Sequence, residues 1–420
     1  MKFILRILLL LAIAPVFIQK VYAQENKPVP LRNIPTGKDK VVPKDTVITS
    51  EKGVPQQDVS DALRRLFHLK PALVNDTIGT KPQLSVVPAI GYTLVSRLAI
   101  VLSGNVAFRT APQSRISTIV ASTDYTQNKQ FTVPIQTSIW TKDNEYNFIG
   151  DYRFYKYPQS TYGLGSSASI KNDDPMDYSF FQFYETAQRH VAGNWYTGIG
   201  YLFDDHWNIS HQGPKNNAPS DYAAYHPREH TISTGPTITA LYDSRDNSIN
   251  PSKGWFGNFQ FRTSFKSFGS TYDWQSMIID IRKYVRFPAG SANVLAFWTY
   301  EWLVLGGKAP YLDLPSTSWD PNSATGRGYI QGRYRGAQMI YGEVEYRYRL
   351  TSDGLLGGVF FMNAQSLSAR QHTNLQTVQP AFGPGLRVKL NKVSKTNIAI
   401  DYGFGSQGSR GLFIDVGEIF

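Results

Sequence analysis

Four of the seven histidines fall in one stretch, His206, His211, His226 and His230, together with Asp204, Asp205 and Glu229. Imidazoles and carboxylates are the ligand set of zinc and copper sites. The spacings here are irregular and fit no zincin or similar ligand motif. The stretch therefore reads as a solvated loop, and no metal site is expected. A second group, Asp243, Arg245 and Asp246, has the residue types of acid–base catalysis. Asn247, Pro251 and Gly254 follow it, and the combination suits a tight turn better. Asp and Asn accept from nearby backbone amides, proline fixes φ, and glycine takes conformations that a side chain resists. No nucleophile elbow or phosphate-binding loop is present. The absence of cysteine excludes disulfides, thiolate metal ligands and a cysteine nucleophile. These residues imply no cofactor and no enzyme.

The elements that would position such groups are strands. The chain is rich in aromatics and glycine, only 18% of it is charged, and helical periodicity is nearly missing after residue 70. Alternation dominates instead, as in a sheet with one apolar and one polar face. Ile340, Val344, Tyr346, Tyr348 and Leu350 share one face of a segment, and Glu343, Glu345, Arg347 and Arg349 the other. In the same way Trp255, Phe259, Phe261 and Phe265 oppose Asn258, Gln260 and Arg262, and Ile279, Ile281, Val285 and Phe287 oppose Asp280, Arg282 and Arg286. Putting such a charged row in lipid costs roughly 2–4 kcal/mol for each Arg at the midplane, whereas a wet lumen avoids that cost. Sixteen segments of this kind, from 83–92 to 411–420, predict an all-β fold over 81–420: a transmembrane antiparallel β-barrel of 16 strands. Short connections (Thr141–Glu145, Pro288–Ala292, Thr351–Asp353, Asn391–Lys395) follow even-numbered strands, and long ones (158–177, 205–230, 305–336, 364–378) follow odd-numbered strands. That asymmetry is expected of an outer-membrane barrel in a Gram-negative bacterium, contacting outer-membrane lipids, with both termini periplasmic.

Ahead of the strands, Lys2 and Arg6 precede an apolar run from Ile7 to Ile18, and Val21-Tyr22-Ala23 offers a small-x-small cleavage site. This order predicts a signal peptide over 1–23. The run has 12 residues, against the roughly 20 that a spanning helix needs. Residues 24–80 read as a Pro-rich periplasmic tether. Within it, 57–69 allows one short helix with Val59, Leu63, Leu66 and Phe67 on one face and Asp58 and Asp61 near its start. The helix would either plug the lumen or lie at the membrane surface. The net charge of +11 comes from cations that alternate with apolar residues and form no patch. It implies charge facing the lumen and no nucleic-acid partner.

Three segments carry a resemblance to one family, the BamA/TamA-like bacterial surface antigen barrels. Tyr242-Asp243-Ser244-Arg245-Asp246-Asn247, followed by Pro251-Ser252-Lys253-Gly254-Trp255, resembles the family's periplasmic turn. Gly326-Arg327-Gly328-Tyr329, with Glu343-Val344-Glu345-Tyr346-Arg347 after it, resembles the R-G-[FY] motif of the sixth extracellular loop and the strand that follows. The resemblance implies that this loop folds into the lumen and that Arg327, Gly328 and Tyr329 form its tip. Arg327 would pair with an acidic residue of the inner wall, with Glu343 and Glu345 as candidate partners. The last strand, ending in Phe420, resembles the signal that assembly machinery reads in its clients.

Two departures stand out. Asn363 occupies a position where the family usually has aspartate, so the carboxylate for Arg327 must come from elsewhere or the loop is held more weakly. The segment before Lys81 is Pro-rich and without the βααββ pattern of a POTRA domain, which implies a member lacking POTRA domains and relying on partners. Pro88 in the first strand and Gly417 in the last imply one of two things. Either the seam between these strands is weak and separable, as the resemblance implies for a lateral gate, or the barrel closes in the ordinary way with a proline near one end. The function implied is outer-membrane biogenesis: assisting insertion or translocation of outer-membrane or surface proteins together with partner subunits. The alternatives are a transport pore for small anions gated by the inward loop, and a structural scaffold barrel.

Overall fold

The computed structural model describes residues 54–68, 79–93, 96–225 and 227–420. The leader expected over 1–23, most of the tether expected over 24–80, and His226 lie outside the described residues. Polar–apolar alternation produces seventeen strands: β1 (Gln83–Thr93), β2 (Arg97–Arg109), β3 (Ile116–Thr126), β4 (Phe131–Trp140), β5 (Tyr146–Lys156), β6 (Gln159–Thr161), β7 (Asp174–Ala192), β8 (Trp195–His211), β9 (Thr231–Asp243), β10 (Gly254–Ser264), β11 (Trp274–Arg286), β12 (Val294–Gly307), β13 (Gln338–Arg349), β14 (Leu356–Ser368), β15 (Gln379–Asn391), β16 (Thr396–Gly405) and β17 (Arg410–Val416). All but the three-residue β6 are long, so the sixteen expected strands are present. Each pairs antiparallel with its chain neighbour. β5 bypasses β6 to pair with β7, whose first residues pair with β6. β7 and β8 run to 19 and 17 residues, well past the roughly 9–11 that a tilted membrane strand needs. They absorb chain that the sequence reading gave to loops.

Because side chains alternate across a strand, one face of the sheet is polar and enclosed while the other is apolar and open. On β13, Ile340 and Val344 are 42% and 41% exposed while Glu343 and Glu345 are 3% and 0% exposed. Ile281 and Val285 of β11 lie outward, with Asp280 and Arg282 buried on the inner side. An exposed apolar surface this extensive is out of place in water. No helix among the described residues is long and apolar enough to cross a membrane.

The sheet does not close into a barrel, and this corrects the fold expected from the sequence. The edge strands β1 and β17 approach within 8 Å between Cα atoms, yet no backbone ladder joins them among the described residues. Three features account for the gap. β17 has 7 residues against 11 in β1. Pro88, in the middle of β1, has no N–H to donate to a ladder. The chain also leaves the strand at Gly417, which has a φ of 133° and donates its N–H to Asn397 O at 2.8 Å. Residues 418–420 then turn into the interior, so the strand expected over 411–420 stops at Val416.

One helix, α1 (Val59–Leu66), lies where a helix was expected over 57–69. Asp58 and Asp61 form a reciprocal capping box at its start. The helix is pinned to the β15–β16 turn, where Lys392 Nζ meets Asp61 Oδ2 at 2.7 Å and Lys392 N donates to Asp58 Oδ2 at 3.2 Å. It neither fills the interior nor hides its apolar face. Leu63 is buried, but Leu66 and Phe67 are each 50% exposed. Hydrogen–deuterium exchange in micelles should find the β17 amides that face away from β16 exchanging freely, while the β13 amides stay protected. Uniform protection across β1 and β17 would contradict an open seam.

Candidate functional site

The connection between β12 and β13, residues 308–337, folds into the space the sheet encloses. Only Lys308 and residues 321–323 of it are exposed. Such a burial leaves backbone polar groups without water, and each needs a partner. The inner wall supplies them from opposite sides. Pro321 O accepts from Arg153 Nη2 at 2.8 Å and Gln136 Nε2 at 3.0 Å, and Gln331 O accepts from Gln159 Nε2 at 3.0 Å. On the far side Tyr329 Oη donates to Pro380 O at 2.5 Å, and Ser409 Oγ donates to Gly328 O at 2.8 Å. Within the loop Asp320 caps its own turn, accepting from Ala324 N at 3.0 Å and Thr325 N at 2.8 Å.

Arg327 is at the centre. Its Nη1 meets Asp401 Oδ2 at 2.5 Å, its Nη2 meets Glu345 Oε2 at 2.7 Å and also bonds Glu343, and its guanidinium lies 3.9 Å from the centroid of the Phe361 ring. Asn363 carries no charge to this group. Its Nδ2 instead donates to the carbonyl oxygen of Arg327 at 3.0 Å. The missing carboxylate comes from Asp401 on β16. The tip can reach that depth because Gly328, at φ 106°, and Gly403 pass backbone against backbone. A Cβ on Gly328 would meet Ala381 Cβ at 2.8 Å, and one on Gly403 would meet Gly328 N at 2.6 Å.

The same carboxylates tie the loop to the last residues of the chain. Arg387 Nη1 meets Asp401 Oδ1 at 2.5 Å, and its Nε meets Glu418 Oε2 at 2.8 Å. Arg347 Nε meets Glu345 Oε1 at 3.1 Å, and its Nη2 donates to Phe420 O at 2.8 Å. The Phe420 ring packs 5.1 Å from Trp298 and 6.3 Å from Tyr284 between centroids. Asp401, Arg387 and Glu418 were not singled out from sequence. Alternation along β15 and β16 places the first two on the inner face, but their convergence on Arg327 depends on inter-strand register.

The expected turn at Asp243–Gly254 lies at the same end as residues 417–420. Asp243 holds Arg245 through both carboxylate oxygens at 2.9 Å. Asp246 accepts from Ser252 N at 2.8 Å, Ser252 Oγ at 2.6 Å and Lys253 N at 3.1 Å. Pro251 is buried, and Gly254, at φ 110°, has no room for a Cβ, which would sit 2.3 Å from Ser244 O. Asn250 Nδ2 joins the turn to Glu418 Oε1 at 3.2 Å. The described histidines of this stretch, His206, His211 and His230, do not converge. His206 is not in a solvated loop but buried in β8, stacked on Phe180 at 4.4 Å, with its Nδ1 3.4 Å from Asp313 Oδ1. His211 lies 3.4 Å from Asp174 and His230 2.7 Å from Asp205. Among the described residues no group of three His, Asp or Glu side chains is placed to hold a metal ion.

No protein-family model matches the chain, and no curated protein matches it in sequence. Solved structures do match in shape. BamA from Haemophilus ducreyi lacking POTRA domains 1-3 aligns with a TM-score of 0.53 at 12% identity, over 80% of this chain and 70% of that one. CdiB from Acinetobacter baumannii aligns with a TM-score of 0.52 at 11% identity, over 80% of this chain and 65% of that one. CdiB from Escherichia coli gives 0.51 and 10%, over 80% and 67%. At these identities the likeness is one of fold, shared by BamA and CdiB alike and not particular to the BamA/TamA group.

Removing one partner from a buried ionic network leaves the others uncompensated, at a cost of about 3–5 kcal/mol. Arg327→Met should therefore lower the unfolding free energy measured with urea in micelles by that order, and an unchanged value would show that Arg327 does not hold the loop. Asn363→Asp removes the donor to Arg327 O and adds a fourth carboxylate beside the three that Arg327 already meets. It should destabilise by about 1–3 kcal/mol, and a gain in stability would show the opposite balance of charge. At Asp246, burial pushes the carboxyl up. The donors from Ser252 and Lys253, with the charge of Lys395, pull it down further and leave it below the usual aspartate range. Its contribution is full above the ordinary aspartate range and lost as pH falls through the depressed value. Asp246→Asn should cost roughly 1 kcal/mol or less at neutral pH, because the group is solvent-screened. The gap from wild type should close in acid, and a gap independent of pH would contradict the assignment.

Proposed function

We propose that this protein is a non-catalytic component of outer-membrane biogenesis in a Gram-negative bacterium, assisting insertion or translocation of outer-membrane or surface proteins with partner subunits. The observation that carries the reading is the pairing of an inward loop, fixed by Arg327 to Glu343, Glu345 and Asp401, with an unladdered seam between β1 and β17. An interior crossed by an anchored loop, beside an open edge, suits handling of a chain at the seam better than passage through the middle. The fold likeness to BamA and CdiB supports the same reading. The three sequence motifs point, more narrowly, to a BamA/TamA-like protein. In this reading the short-turn end, with α1 and Gly417–Phe420, faces the periplasm, and the apolar outer surface meets outer-membrane lipids. The exposed Leu66 and Phe67 offer a place for a periplasmic partner. An anion pore is disfavoured, because the loop, hydrogen-bonded to walls on opposite sides, stands across the space a solute would cross.

Depletion in the source bacterium followed by outer-membrane proteomics tests this. Selective loss of other barrels or surface proteins is expected. An unchanged proteome with altered uptake of small anions would overturn the reading in favour of a pore.

A further inference from the structure

Residues 162–173, the connection from β6 to β7, cross the end of the sheet that carries the long connections. Gly165 N donates to Arg335 O of the inward loop at 2.7 Å. Ser166 Oγ accepts from Leu367 N of β14 at 3.0 Å, and Ser166 O accepts from Gln379 Nε2 of β15 at 2.6 Å. The crossing reaches the β16–β17 turn, where Ile170 N donates to Gln407 Oε1 at 3.0 Å. That turn belongs to the hairpin whose second strand, β17, is the free edge of the sheet. It is docked on the tip of the inward loop as well, because Ser406 Oγ shares a 2.6 Å hydrogen bond with Tyr329 Oη and Ser409 Oγ donates to Gly328 O at 2.8 Å.

Gln407 Oε1 also accepts from Arg333 Nη2 at 3.0 Å, and the same nitrogen donates to Ala168 O at 2.7 Å. Arg333 is 1% exposed, yet its Nε and Nη1 have no hydrogen-bond partner, and no carboxylate pairs with it among the described residues. Its other neighbours are rings, Tyr334 at 4.2 Å and Tyr162 at 5.0 Å from the guanidinium carbon. A buried cation is ordinarily matched by opposite charge, as Arg327 is by three carboxylates. Here a neutral amide stands where a glutamate of the same shape would fit. The amide nitrogen makes only one long contact, 3.5 Å from Ala168 O. A charge-assisted hydrogen bond is about twice as strong as a neutral one, so the contact is weaker than its geometry allows. Gln407 is itself exposed, so water replaces its partners on release. We propose that Gln407 is a deliberately weak latch. It holds residues 168–173 down over Arg333 and against the β16–β17 turn, and its release lifts that cover beside the free edge while the turn stays on the inward loop. What the cover does for a client rests on the function proposed above, whereas the latch itself is read on the purified protein alone.

Two rates on the full chain in micelles report opening: hydrogen–deuterium exchange at the Ile170 amide, and modification of Arg333 by phenylglyoxal mapped by mass spectrometry. Gln407→Glu keeps the acceptor and adds the missing charge, so it should slow both by about tenfold, the difference between a charged and a neutral hydrogen bond. Gln407→Ala removes the acceptor and should speed both to a similar degree. In an Arg333→Met background Gln407→Glu should no longer slow the Ile170 amide, because the charge it was matched to is gone. Protection of the β13 amides in every variant would show that each is folded. Three results would overturn the proposal: Gln407→Glu no slower than wild type, the same slowing with and without Arg333, or an unchanged rate of Arg333 modification in Gln407→Ala.

Discussion

A guanidinium taken out of water is tolerable only when oxygens of opposite charge surround it, and the interior of this sheet is organised around meeting that condition at Arg327. Desolvating such an ion costs several kcal/mol, and only close, well-aligned partners offset it. Glu343 and Glu345 from β13 and Asp401 from β16 supply them. The strands between, β14 and β15, must then keep a register that leaves β13 and β16 facing the same point. Asn363 and Ala381, which pair across these strands, sit under the loop tip. Gly328 and Gly403 give the backbone the approach that the charge contact demands. The connection from 308 to 337 is therefore less a loop than an inner layer, with one ionic anchor and hydrogen bonds to walls on opposite sides.

That anchor also explains where the last residues go. Extending β17 past Val416 would add ladder bonds to β1, yet the chain turns inward at Gly417. Inside, Glu418 meets Arg387, and Phe420 lies between Trp298, Tyr284 and Arg347. A backbone hydrogen bond is worth about 1 kcal/mol net, whereas burying a phenylalanine contributes about 1.5–3 kcal/mol and Arg387 would otherwise lack one of its carboxylates. The turn at Gly417 therefore gives up ladder bonds to β1 and places Glu418 and Phe420 among inward partners.

Much of this was legible in the sequence, and the reason is periodicity. Sixteen strands and the facing of Glu343, Glu345 and Arg262 follow from a period of two, which the chain keeps over most of its strands and breaks at a few bulges. The turn at Asp243–Gly254 follows from residue types whose preferences are local. What periodicity cannot supply is register and the fate of strand ends. Asp401 and Arg387 read as ordinary inward residues until pairing sets Gly385 opposite Asp401 and Arg387 opposite Ala399. Closure was inferred from strand count, but it turns on whether the final residues stay in the plane of the sheet. Glu418 and Phe420 have inward partners separated from them in sequence, which local pattern does not reveal. His206 was misplaced for a related reason, because β8 continues through residues that look like loop.

The two occupants of the interior also constrain how the molecule could rearrange. Clearing the middle requires pulling Arg327 from three carboxylates and exposing Tyr329, Tyr334 and Tyr341, all fully buried, so the barrier is set by buried charge and aromatic area together. Parting β1 from β17 breaks no backbone ladder, because none joins them among the described residues. Arg347, which holds Phe420 O, shares Glu345 with Arg327. Any displacement of residues 417–420 that frees Arg347 therefore changes the charge balance at the loop tip. Seam and loop are coupled through two carboxylates, Glu345 shared by Arg327 and Arg347 and Asp401 shared by Arg327 and Arg387, and through them a change at one would be felt at the other.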